Sequence, residues 1–321
     1  MRQRSQMSIT QKFRPSRLVR RFVPLGPFAG PADPSIAGLV PPLPEPLKRI
    51  GSLEVRLARN AREVRLAQAL RYRVFYREMS AQAGAAGKLW RRDIDGFDSI
   101  CDHLLVIDHD PDPAVLKRAG IKRAGRPGKP VVVGTYRLLR QDVAEQYSGF
   151  YTAGEYEISK LVDRHRPKRF LELGRSCVLK EYRTKRTVEL LWAGAWEYVQ
   201  HHRIDVMIGC ASLEGIEPRK LAVPLSFLHH HAAAPDDWKI RAVPSRYVSM
   251  DRLPPEDIDL RAALQELPPM IKGYLRLGAY IGEGAVVDHQ FGTTDVCIVL
   301  PVSAINPRYY GHFGAPKERL S

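Results

Sequence analysis

The chain has 321 residues, 44% of them apolar and 26% charged, with 50 Lys+Arg against 35 Asp+Glu and a formal net charge of +15. That length suits one large domain or two small ones, and the apolar share excludes a wholly disordered protein. So basic a surface attracts polyanions such as nucleic acid, anionic lipid, a phosphorylated cofactor or an acidic protein, and charge by itself does not choose among them.

Residues 1–50 carry nine Lys/Arg against two Asp/Glu, and proline recurs from Pro15 to Pro46. Such a segment buries too little apolar surface to offset its ordering entropy, so a disordered basic tail is expected. It is either a solvated leader or an electrostatic tether to anionic lipid. Its start lacks the apolar stretch of a cleavable signal peptide, and no apolar run approaches the roughly 18 residues of a spanning helix. A cytoplasmic protein, peripheral on the inner membrane at most, is the expectation. The folded domain is expected over 51–313, with 314–321 as a flexible end.

Leu53 to Ala58 reads as a strand. Ala61 to Met79 reads as a helix with Leu66, Leu70 and Val74 on one stripe. His103 to Asp108 is an apolar strand, and Asp110 to Lys129 a surface loop rich in Pro, Gly and charge. Val131 to Leu139 and Arg169 to Leu179 are buried strands. After a loop at 180–186, a helix is expected from Thr187 to His202, its apolar face made by Val188, Leu191, Trp192, Ala195 and Val199. Asp205 to Ala211 is a strand. The proline-broken stretch from Pro218 to Pro269 gives no clear pattern, and Gly273 to Ile281 and Asp295 to Pro301 read as final strands. Strands and helices mix without strict alternation, which fits α+β.

Chemistry is suggested at three places. Lys180, Arg183, Lys185 and Arg186 crowd a helix start, where the backbone is already positive, so they are either solvated or gathered around an anion such as a phosphate. Glu172 and Arg175 interrupt an apolar strand, which is costly unless they pair or face a cleft. Parity puts them on opposite faces, and a bulge near Gly174 would let both address one site. Arg71 and Phe75 are i, i+4 neighbours on a helix, followed by Asp93, Asp95 and Asp98. Those aspartates are either turn residues or holders of a cationic group, since the spacing lacks an EF-hand pattern. His229, His230 and His231 lack a partner set at zinc spacing, so no metal is expected. The four cysteines (Cys101, Cys177, Cys210, Cys297) stand far apart with no CxxC, which argues against a disulfide scaffold and for a reducing compartment. Cys177, with no nearby His, is expected to be an inert thiol.

The segments LRYRVFYREM (70–79), DIDGFD (93–98), DHLLVID (102–108), VVGTYRLL (132–139), LELGRSCVLKEYR (171–183), IGCASLEG (208–215) and 272–300 together resemble the ornithine N-acyltransferases of ornithine-lipid synthesis, over about residues 52–313. That family is similar to the acyl-homoserine-lactone synthases, within the GNAT superfamily. The resemblance implies a GNAT-type fold: a central mixed, mostly antiparallel sheet flanked by helices, with splayed central strands. It implies transfer of a 3-hydroxyacyl chain from acyl carrier protein to the α-amino group of L-ornithine, giving lyso-ornithine lipid. No cofactor is expected to stay bound; the donor is a 4′-phosphopantetheine thioester. The synthases' motifs match Arg71 and Phe75, Asp95 and Asp98, Arg137, and Glu172 and Arg175.

On this reading Glu172 is the expected base, with Arg175 beside it. Arg71, Phe75, Asp95, Asp98 and Arg137 are expected to bind substrate. Cys177, Val178 and Leu179 are expected to supply oxyanion and pantetheine contacts from the backbone, and Arg183, Lys185 and Arg186 to meet the pantetheine phosphate. The usual GNAT pyrophosphate-loop glycines are absent at YRTKRT (182–187), a loss that a donor without adenosine diphosphate tolerates. Expected partners are acidic acyl carrier protein, ornithine and an anionic membrane, with no specific nucleic acid. The rival readings are a lactone synthase, acylation of another amine, or a non-enzymatic basic protein.

Overall fold

The computed structural model describes residues 43–79, 81–82, 85–121 and 129–306. Most of the expected tail, and the segment 314–321, lie outside the described residues. The described chain nevertheless begins ahead of the expected start, because residues 48–50 already pair into the sheet.

One eight-stranded sheet carries the molecule: β1 Lys48–Ile50, β2 Leu53–Leu57, β3 Asp102–Asp108, β4 Val131–Arg140, β5 Phe170–Val178, β6 Val206–Glu214, β7 Tyr280–Asp288 and β8 Thr293–Pro301. Their spatial order is β1-β2-β3-β4-β5-β6-β8-β7. Among the described residues every neighbouring pair is antiparallel except β5–β6. The helices are α1 Ala61–Tyr72, α2 Ala85–Trp90, α3 Pro113–Arg118, α4 Gln141–Ala144, α5 Ile158–Arg164, α6 Lys185–His201, α7 Ala222–His231, α8 Leu260–Glu266 and α9 Pro269–Leu277. The parallel pair needs a crossover, and α6 supplies it.

The Asn60 side chain starts α1 by accepting the N–H groups of Arg62 and Glu63. The expected single helix to Met79 is two structures. Past Tyr72 the turns widen to a π-helix over Arg73–Glu78, where Met79 N–H reaches Val74 O. Widened turns of this kind often sit beside functional sites. The buried stripe of α1 runs through Val64, Ala67, Leu70 and Arg71, and Leu66 is 47% exposed. The sheet lies against the Val64 side, so Leu66 falls outside the contact.

Helix α6 begins at Lys185, two residues ahead of expectation, because Thr184 caps it by accepting Thr187 N–H. Its covered arc is wide, including Leu190, Leu191, Ala195, Trp196, Tyr198 and Val199, while Val188 in its first turns is exposed. Gly194 permits the close approach: a Cβ there would stand 2.7 Å from Val55 Cγ2. Two other readings change. The loop at 110–129 contains α3. The expected strand at 273–281 is the end of α9, followed by β7. Pro269 opens α9 and Gly278, at φ +105°, closes it, the usual helix punctuation.

The feature that positions the site is in the sheet's middle. β5 and β6 pair only at Phe170↔Val206, Leu171↔Met207 and Glu172↔Ile208. Beyond that, β5 stays with β4 as far as Val178, and β6 stays with β8 as far as Glu214. The two strands therefore part after Glu172 and Ile208, which is the expected splay. Gly209 stands at the point of divergence, where a Cβ would meet Leu173 O at 2.3 Å.

Candidate active site

Just past the divergence, β5 bulges. Thr135 pairs with Cys177 and Arg137 with Gly174, so Arg175 and Ser176 together oppose Tyr136. The left-handed residue is Arg175, at φ +53°, and not Gly174 beside it. That conformation costs a non-glycine residue about 1–2 kcal/mol. Its side chain is held by Asp95 at 3.3 Å and Asp93 at 3.5 Å, and stacks on Tyr151 at 5.0 Å and Phe291 at 4.5 Å. Strain tolerated at a bulge, on a residue held from several sides, is a pattern of functional sites.

The charged residues read as substrate contacts are largely engaged with one another. Arg71, fully buried, bonds Asp93 at 2.9 Å and Asp98 at 2.8 Å. Gln68 also bonds Asp98, and Tyr76 bonds Asp93. Arg137 reaches both oxygens of Asp95 at 2.7 Å. Asp95 and Asp98 form a capping box on the short 3₁₀ turn Gly96–Ser99. Three guanidiniums thus meet three carboxylates. Burial would raise the carboxylates' pKa values, but Arg71 holds Asp98 well below its usual range and Arg137 lowers Asp95. Arg71, Arg137, Asp95 and Asp98, all expected to bind substrate, are thus held by one another, with part of the Asp95 side chain still exposed. Phe75 is half-buried and packs edge-on against Phe291 at 5.7 Å.

Glu172 is 5% exposed, and its two oxygens accept the N–H groups of Tyr151 at 2.8 Å and Thr152 at 2.6 Å. Burial raises its pKa, and the hydrogen bonds from Thr152 and Tyr151 pull the other way. The contacts make it the anchor of the 3₁₀ turn Tyr151–Gly154. Tyr151, fixed by that anchor, is one of the two rings over Arg175.

On the strand after the bulge, Leu179 N–H donates to Val133 O, and Cys177 pairs with Thr135 in the same ladder. Antiparallel alternation turns the backbone of Val178 the other way, and Val178 O accepts Arg183 Nε at 3.1 Å. Of the three backbone donors expected here, Val178 N–H is the one aimed away from β4, and those of Cys177 and Leu179 serve the ladder. Burial pushes the Cys177 thiol up to about 12, consistent with an inert role. Arg183 is also tied to Glu78 at 2.5 Å and is exposed like Lys185 and Arg186, Lys185 with a loose 3.6 Å contact to Glu189.

Across the divergence lies a group that sequence reasoning missed. Glu155, Asp288 and Asp295 each bring a carboxylate oxygen within 4.8 Å of the others. Glu155 and Asp295 are buried. Arg246 contacts Glu155 at 3.3 Å, and Cys210, next to Gly209, donates its thiol to Glu155 at 3.1 Å. Burial, then the Glu155 charge, pushes Asp295 up to about 6. The available signal was the one used for Glu172, a carboxylate inside an apolar strand (TTDVCIVLP). Half-buried His229 and His230 also converge with exposed Asp251, and His230 already bonds Leu253 O.

Residues 70–193 match the family model described as an acetyltransferase (GNAT) domain. An L-ornithine N(alpha)-acyltransferase of Agrobacterium fabrum (strain C58) is 53% identical over 273 residues, 85% of this chain and 89% of the relative. One from Rhizobium meliloti (strain 1021) is 52% identical over 280 residues, 87% and 90% of the two chains. Among solved structures, an N-acyl amino acid synthase from uncultured soil microbes superposes with a TM-score of 0.44 at 9% identity, covering 79% of this chain and 94% of that one.

Proposed function

The chain belongs to the L-ornithine N(alpha)-acyltransferase family, and from that premise we propose that it moves a 3-hydroxyacyl chain from acyl carrier protein to the α-amino group of L-ornithine. That it is an N-acyltransferase with a GNAT-type fold follows from the same kinship and the domain match. The single observation that carries the site assignment is the parting of β5 and β6 after Glu172↔Ile208, beside the strained Arg175.

An extended pantetheine arm suits the gap between two diverging strands, because each strand offers unpaired backbone groups along it. The ornithine α-ammonium first loses one proton to a solvent water. The neutral nitrogen attacks the thioester carbonyl, forming the C–N bond. Collapse of the tetrahedral intermediate breaks the C–S bond, and one of the two amine protons leaves with the pantetheine sulfur as a thiol while the other stays on the amide nitrogen. Val178 N–H is the proposed oxyanion donor, a contact whose loss typically costs about 2.7–4 kcal/mol of barrier. Arg175, which retains some exposure where Arg71 and Arg137 have almost none, is the proposed partner of the substrate carboxylate. Glu172 is a positioning residue that holds Tyr151 over it.

Lys185 and Arg186 remain the proposed contacts of the pantetheine phosphate, and the +15 charge suits an acidic carrier protein. Leu89 and Trp90 are 77% and 59% exposed, flanked by Lys88, Arg91 and Arg92, which supports peripheral contact with anionic lipid. No helix among the described residues is long and apolar enough to cross a membrane.

The test is direct. Purified full-length protein, 3-hydroxyacyl carrier protein and L-ornithine are mixed, and products are followed by mass spectrometry with a thiol assay. N-acylornithine and free carrier-protein thiol should rise together. Thiol release without the acylated amine, or no reaction, would overturn the proposal.

A further inference from the structure

We infer that Glu155, Asp288 and Asp295 form the subsite for the side-chain ammonium of the amine substrate, and so select a basic amino acid. The inference rests on the ornithine reading and deepens it.

The three residues come from different elements: Glu155 follows the 3₁₀ turn Tyr151–Gly154, Asp288 ends β7, and Asp295 lies in β8. Each offers one oxygen, and the three oxygens lie within 4.8 Å of one another. An alkylammonium has three N–H donors and no acceptor. Three acceptors placed tetrahedrally at charge-assisted distances, roughly 2.8 Å from nitrogen, stand roughly 4.6 Å apart. The spread of the three oxygens accommodates that geometry.

The local charge is unbalanced. Arg246 contacts Glu155, while Asp288 Oδ1 accepts the N–H groups of Gln290 and Phe291. Asp295, 6% exposed, has an Oδ1 with no hydrogen-bond partner. An unpartnered buried carboxylate oxygen is costly, and a structure keeps one where a ligand satisfies it. Burial and the neighbouring Glu155 also raise the Asp295 pKa against hydrogen bonds from Ser212 and Thr293, and an incoming cation would oppose that rise.

Placement ties this group to the reacting centre. The turn that carries Glu155 also carries Tyr151, and the turn that Asp288 caps carries Phe291; both rings lie over Arg175. Cys210, bonded to Glu155, is next to Gly209 at the divergence of β5 and β6. An amino acid with its carboxylate on Arg175 therefore has its nitrogen at the gap and a carboxylate group waiting on the far side. The turn aspartates that might have held the cation are already paired with arginines.

The experiment compares L-ornithine with L-norvaline, which has the same carbon chain without the ammonium, in full-length wild type and in Asp288→Asn, Asp295→Asn and Glu155→Gln, using one acyl carrier-protein donor. Wild type should prefer ornithine in kcat/KM. Each substitution should lower that preference roughly 10- to 100-fold, mainly through the KM for ornithine. Asp288, half-buried and with Asn able to keep its cap, serves if the buried variants fold poorly. An unchanged ratio in folded variants removes this inference and leaves ornithine acylation standing; a wild type that acylates no ornithine removes both. A melting-temperature rise with calcium, magnesium or zinc chloride that disappears in Asp288→Asn would also overturn it, in favour of a metal site.

Discussion

Two clusters of buried charge flank the gap between β5 and β6, and they are built on opposite principles. On the β4–β5 side, Arg71, Arg137 and Arg175 meet Asp93, Asp95 and Asp98, three cations against three anions. On the β6–β8–β7 side, Glu155, Asp288 and Asp295 meet, among the described residues, one cation, Arg246. A balanced cluster can satisfy itself and serve as a frame. A cluster with surplus charge is costly in the apo protein, and its persistence points to something that arrives. Ionisable residues near a site are therefore better sorted by local charge balance than by residue type.

The comparison can be broken most severely at Arg71. Arg71→Ala removes the cation that bridges buried Asp93 and Asp98, leaving them the longer contacts from Arg175 and Arg137, and should cost about 3–5 kcal/mol, read as a lower urea midpoint. An unchanged midpoint would show that the balanced cluster is not structural. Next in size is Gly209→Val, at the divergence itself. A Cβ there collides with Leu173 O, so the strands must shift, at a cost of about 1–3 kcal/mol. Acyl transfer should fall further than stability does; equal activity at a lowered melting temperature would separate this position from the reaction.

The opposite sign is expected at Asp295. Its folded pKa of about 6 lies above the usual value near 3.9, so the folded state keeps a proton that the unfolded chain releases. Stability should decline as pH rises from about 4 to about 6, and Asp295→Asn should remove that slope and stabilise the protein at neutral pH by on the order of 2 kcal/mol. Asp95 and Asp98, held low by arginine, run the other way: their stabilisation is present above about pH 4 and is lost as the pH falls through their depressed folded values. Urea titrations at several pH values check both signs, and a slope that survives in Asp295→Asn refutes the contrast.

The smallest effect is expected at Glu172. Glu172→Gln keeps one oxygen for the Tyr151–Thr152 turn and should cost about 1 kcal/mol, with reduced but measurable turnover and an unmoved acidic limb of the pH–rate profile. Abolished turnover in a folded variant would restore the base role.

Much of the frame was legible from local pattern. Six of the eight strands have an apolar run or alternation behind them, wholly or in part, and α1 and α6 show helical spacing. The expected final strand at 273–281 failed because a short apolar stretch reads alike in helix and strand, and the Pro269 and Gly278 punctuation was the arbiter. Leu66 and Val188 failed because periodicity defines a stripe without saying which side the sheet will take. Glu172 and Arg175 stood out as charges in an apolar strand, but their roles did not. One anchors the Tyr151–Thr152 backbone, and the other sits on a bulge that falls on itself and not on the adjacent glycine.

What the amino-acid order determined by itself was therefore composition, kinship, the elements whose periodicity is long, and the presence of ionisable residues where apolar ones belong. Only the tertiary structure decided which charges cancel. Arg71 and Asp98 are 27 residues apart, and Glu155, Asp288 and Asp295 come from distant segments. Coulomb interaction depends on distance in space and on exclusion of water, and neither quantity exists until the sheet has closed around its two diverging strands.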